Sequence, residues 1–99
     1  MSNTTNDATN LLLGGDSSVN ILEKLAENLK ATVIKSALMM NDHAAKKDLP
    51  RNRVNYGVMI EAERVLRELN FNVCNATWAD GEFLVCEELS INDRIVFKR

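Results

Sequence analysis

The chain predicts an α+β fold: two amphipathic helices packed on a small antiparallel β-hairpin or three-stranded meander. Three observations carry this. Apolar residues recur every three or four positions before residue 48 and again from residue 51 to 69. Strand-favouring residues then flank Ala79-Asp80-Gly81, a hairpin-turn signature. Ninety-nine residues, 45% hydrophobic and 26% charged, suffice for one domain with a core of its own. The unit from Asn52 to Glu88, a helix running at once into a hairpin, organises the rest. The expected division is a flexible segment over residues 1–16 and a single α+β domain over 17–99.

Met1 to Asn10 is polar and reads as peripheral. Leu11-Leu12-Leu13 interrupts it before Gly14-Gly15 and reads as a strap tucked onto the core or onto a neighbouring subunit. Asp16, Ser17 and Ser18 are capping residue types, so the first helix is expected near Val19. Its stripe is Leu22, Leu25, Ala26, Leu29, Val33, Ala37 and Met40, and it widens from Val33 through Ile34, Leu38 and Met39. No Gly or Pro breaks it before Leu49-Pro50, so one continuous helix is the first expectation, with two helices kinked near Thr32 as the alternative.

The second helix spans about Arg51 to Leu69, with Val54, Val58, Ala62, Val65, Leu66 and Leu69 in line and Met59 and Ile60 beside them. Gly57 costs about 1 kcal/mol there relative to alanine and suggests close approach of another backbone. Asn70 suits the left-handed residue that closes a helix. In the hairpin, an Asp80-Gly81 turn sets Trp78 opposite Phe83, whereas a three-residue loop sets Cys74 across from Cys86. Ser90, Asn92 and Asp93 form the next turn, and Arg94 to Phe97 a third strand. The predicted core is Leu22, Leu25, Leu29, Val33, Ala37, Val58, Ala62, Leu66, Leu69, Val73 and Val85.

Catalytic constellations fail on partner count. His43 is the only histidine, and with Cys74 and Cys86 it falls short of a four-ligand zinc set, so no metal or cofactor is expected. Glu61 with Glu63, and Glu87 with Glu88, do not converge on one cleft as acid–base pairs must. Gly14-Gly15 lacks the Lys-Ser or Lys-Thr of a phosphate loop. The protein is therefore read as a binding protein and not an enzyme. Without a signal-like N-terminus or a membrane-length apolar run it is expected in the cytoplasm, a host cell's if phage-borne, with free thiols. Asparagine, 12 of 99 residues, fits the AT-rich coding of many phage genomes.

The first functional expectation is stoichiometric protein–protein contact by a phage-type inhibitor or adaptor, homo-oligomeric. Met39, Met40, Met59 and Ile60 would form its seam and Trp78 an exposed anchor. The alternative starts from charge. Lys46, Lys47, Arg51 and Arg53, with Asn55, form a basic turn in a chain of net charge −2, while residues 79–93 carry five acids and no base. That turn is the candidate site for nucleic acid or a small anion. With Arg51, Asn52, Arg53 and Asn55 at the groove-facing start, Arg64 to Leu69 as the inward end and Asp80-Gly81 as wing tip, residues 36–88 resemble the recognition helix and wing of winged-helix regulators. The resemblance implies DNA binding. The segment departs from that pattern in having no basic residue from Phe71 to Leu89 and no helix-turn-helix corner before Leu49.

Overall fold

The computed structural model describes residues 15–99 as two helices and three strands: α1 (Gly15–Ala45), α2 (Leu49–Glu68), β1 (Val73–Asp80), β2 (Phe83–Ile91) and β3 (Arg94–Lys98). The strands form one antiparallel sheet in the order β1-β2-β3, the three-stranded meander of the α+β expectation. Leu11 to Leu13 lie outside the described residues. The first helix is continuous, the first of the two alternatives, but starts at Gly15, four residues before Val19. Asp16, Ser17 and Ser18 thus belong to its first turn.

Local chemistry sets the helix ends. At the end of α1, Lys47 adopts a left-handed φ of 60°. The Asp48 N–H then donates to the His43 carbonyl and the Lys47 N–H to that of Ala44, the paired bonds of a Schellman closure. The end of α2 repeats this with Asn70 at φ 72°, Phe71 N–H donating to Leu66 and Asn70 N–H to Arg67. Asn70 is therefore the predicted cap. Asp48 opens α2 by accepting from the Arg51 N–H at 3.2 Å, with Pro50 in the first turn, where a missing N–H costs nothing.

The hairpin register matches neither alternative drawn from the sequence. Gly81 and Glu82 form the turn, and Asp80 pairs with Phe83, Trp78 with Val85 and Thr77 with Cys86. Of the two turn residues only Gly81 has positive φ, 64°, the requirement of a type II′ turn. Asp80 becomes the last ladder residue. A bulge then makes Glu87 the extra residue of β2, so Cys74 faces Ser90 and the two free cysteines lie on opposite faces. The second turn has positive φ at both Asn92 and Asp93, a type I′ pattern, and Ser90 stays in the strand.

Both helices cover the same sheet face. The core joins Val33, Ala37 and Met40 of α1, Met59, Ala62 and Leu66 of α2, and Val73, Cys86, Leu89 and Ile91 of the sheet. Three predicted core positions need correction. Leu22 and Leu25 are exposed because α1, 31 residues or about 46 Å long at 1.5 Å per residue, outruns its neighbours. Val58 points away from the sheet and is exposed. Val85 is buried as expected, and alternation puts it opposite Trp78 on the face without helices. The radius of gyration is 17.5 Å, against about 13 Å for a compact chain of this length, and the longest extent is 59 Å.

Candidate protein-interaction surface

The proposed methionine seam does not exist as drawn. Met40 and Met59 are both 0% exposed, since each stands on the core stripe of its helix. Met39 and Ile60 are exposed but lie on different flanks. Met39 is two helical turns beyond Thr32, on the side of α1 turned away from the sheet. Ile60 is seven residues from both Arg53 and Arg67, hence on their side of α2. Arg53 donates to the Glu82 carbonyl at 2.6 Å and Arg67 to that of Val73 at 2.9 Å. Ile60 is thereby set alongside β1. Trp78 is 42% exposed on the helix-free face of the sheet, with the Arg99 guanidinium 5.7 Å from its ring centre. Arg99 is held there by Glu87 at 2.6 Å. Glu87 is kept below the usual carboxylate range first by that hydrogen bond and then by the Trp78 indole.

What the helices do expose together is their outer, sheet-distal face. Leu29 and Thr32 of α1 and Val54, Gly57, Val58, Ala62 and Val65 of α2 line an open apolar groove of about 490 Å³, with Glu61 at its rim. Val54 is 65% and Val58 42% exposed. A side chain added at Gly57 would meet nothing within 4 Å, so the glycine is not there to admit α1; it leaves a gap in the groove wall. Exposed Leu25 extends this surface, and a second apolar depression, lined by Val19, Leu22, Ala26, Leu69 and Phe71, continues toward the start of α1. The cause is the width of the two stripes. A single sheet face buries one side of each helix, and the remaining apolar positions have no layer above them.

Every cation of the basic turn is engaged within the chain. Lys46 pairs with Asp42 at 3.0 Å and Arg51 with Asp48 at 2.8 Å. Lys47 sits 5.3 Å from the Phe83 ring centre, and Arg53 is committed to Glu82. Asn55 donates to the Arg51 carbonyl at 2.8 Å. The Arg51 guanidinium, followed by the Arg51 N–H, holds the Asp48 carboxyl below its ordinary range. Asn52, expected at a groove-facing helix start, is fully buried instead. Continuous α1 also leaves no helix-turn-helix corner.

Sequence reasoning overlooked two buried polar side chains, Asn52 and Glu63, and a half-buried one, Asn41. Asn52 donates to the carbonyls of Met40 and Leu84, each at 2.9 Å, and accepts from the Leu84 N–H at 3.0 Å. Asn41 likewise donates to the Cys86 carbonyl and accepts from its N–H, both at 2.8 Å. One asparagine from each helix thus imitates a neighbouring strand along the part of β2 that β3 does not reach. Glu63, 0% exposed, accepts from Asn75 at 2.7 and 2.9 Å and from Arg67 at 3.3 Å. Burial outweighs these partners and pushes its carboxyl above the usual range. A signal was present for Asn52: it stands one and two heptads before Met59 and Leu66, and a lone amide on an apolar stripe is a buried, bonded one.

Among the described residues no three metal-ligating side chains come together, and no helix is long and apolar enough to cross a membrane. Compared with family models, curated proteins and solved structures, the chain finds no match.

Proposed function

We propose that this chain acts by stoichiometric protein–protein contact, as small inhibitors and adaptors do, and that the outer face of the α1–α2 pair meets the partner. The observation that supports this is the groove between the helices, apolar along its length and flanked by exposed Leu25, Val54 and Val58. Contiguous apolar surface of this kind mars solubility unless it is covered. A groove between two helices suits an amphipathic helix offering apolar residues at three- and four-residue spacing. The gap at Gly57 would take one such side chain.

Photo-crosslinking in the producing cells tests the reading. A photoreactive residue replaces Val58 in one variant and Lys98 in another. Capture of one protein in a fixed ratio from position 58 alone, lost on adding Val54→Glu, is the expected result. The glutamate sits at an exposed position and leaves the melting temperature nearly unchanged. The same products from positions 58 and 98, or capture indifferent to Val54→Glu, would remove the groove from the reading.

A further inference from the structure

The structure treats the uncovered stretch of β2 and the free edge at β1 differently. Along β2, where β3 stops short, Asn52 occupies the N–H and C=O of Leu84 and Asn41 those of Cys86, and Arg53 takes the Glu82 carbonyl at the turn. The other edge is β1. Leu84 and Cys86 turn their backbone groups away from β1, so their ladder partners Ala79 and Thr77 turn theirs away from β2, as antiparallel pairing requires. At the strand's start Arg67 takes the outward carbonyl of Val73, and two residues on Asn75 faces the same way. Among the described residues nothing bonds the outward backbone groups of Asn75, Thr77 and Ala79.

Nor does the strand carry the devices that protect an edge. From Val73 to Ala79 it has no charge and no proline, and the bulge beside it belongs to β2. By contrast β3, the opposite edge, has Arg94 and Lys98 at its ends. An open, straight, uncharged edge strand is a template for pairing.

We propose that β1 pairs antiparallel with β1 of a second copy, joining two sheets into one of six strands about a two-fold axis near Thr77. The occupant follows from complementarity. Antiparallel self-pairing brings the acidic hairpin end of one copy, Asp80 and Glu82, to the Val73 end of the other, where Arg67 is half exposed. Near the axis Thr77 meets its own counterpart, a favourable cross-strand pair. Ile60, exposed and alongside the middle of β1, stands over the axis and meets the second Ile60. Both helix layers then lie on one side of the joined sheet, with the sheet-distal grooves facing outward, so the dimer presents two of them. The inference is independent of what those grooves bind.

The test is solution mass by light scattering, with amide hydrogen exchange read residue by residue. The wild type is expected at twice 11.1 kDa, with the Asn75, Thr77 and Ala79 amides protected. Ala79→Pro removes an N–H that faces away from β2, so the intramolecular ladder survives while the seam loses a donor and meets the proline ring. It should halve the mass and expose the Asn75 and Thr77 amides, with the far-ultraviolet circular dichroism unchanged. Ile60→Glu, a helix-surface change outside the strand, should weaken the dimer in the same direction. A wild-type monomer with freely exchanging amides would overturn the proposal. So would a monomer in which those amides are protected, the edge then being covered by the chain itself. A dimer that survives Ala79→Pro would overturn it as well, and crosslinking from position 58 would still judge the groove separately.

Discussion

Asn52 shows how one amide can join three parts of a chain. Its side chain binds the last turns of α1 through Met40 and the start of β2 through both backbone groups of Leu84, all without exposure to water. Truncation would leave these groups buried without partners, and an unsatisfied buried group costs more than the bond itself was worth. Asn52→Ala is expected to destabilise the fold by roughly 3 kcal/mol in urea unfolding. Asn55→Ala, on the same helix but bonded only to the Arg51 carbonyl, should cost a few tenths of that. Equal losses at the two positions would mean that the Asn52 bonds are not distinctive. The contrast was hidden in the sequence because Asn52 and Asn55 sit in one polar-looking run, Arg51 to Asn55. Helical phase separates them, and only Asn52 shares the phase of Met59 and Leu66.

Between elements, the clamp from α2 to β1 is the group whose behaviour depends on pH. Glu63 on α2 meets Asn75 on β1, and Arg67 connects Glu63 to the Val73 carbonyl. Because burial raises the carboxyl above its ordinary value of 4.5, the native chain holds this proton more tightly than the unfolded one. By linkage, the associated stability is fully present below the unfolded value and is lost as pH rises through the folded value. The stability of the wild type relative to Glu63→Gln, from urea unfolding at several pH values, should therefore fall with pH from about 4.5 upward and then level off. A difference that stayed flat, or rose with pH, would show that Asn75 and Arg67 outweigh burial. Other features of the elements are local and were legible along the chain. The Asn70 cap and the third strand each follow from residues within a few positions of the feature, whereas the pattern of α1 left a kink near Thr32 open and the structure shows none. The turn was located only approximately, because Asp80-Gly81 and Gly81-Glu82 both offer glycine its left-handed φ and differ in ladder pairing.

For the molecule as a whole, charge and apolar surface lead to different expectations. The net charge is −2, and each cation of the basic turn already has a partner in the chain. Titration of mixed-sequence duplex DNA at low salt is therefore expected to show no binding. Binding that weakens steeply with added salt and disappears in Arg51→Ala with Arg53→Ala would reverse this, since phosphate contacts release counterions. The apolar surplus of the helices was legible in the sequence as stripes too wide for one interface. Its address was not. Met40 and Met59 filled the core, while Val54, Val58 and Leu25 were left outside. Periodicity and turn chemistry act over one or two turns of chain, so the α+β class, the helical stripes and the Asn70 cap could be read from residues in order. The buried side of each stripe, the hairpin register and the partners of Asn41, Asn52 and Glu63 came with the closed fold. They depend on groups 12 to 45 residues apart that meet only when helices and sheet pack together.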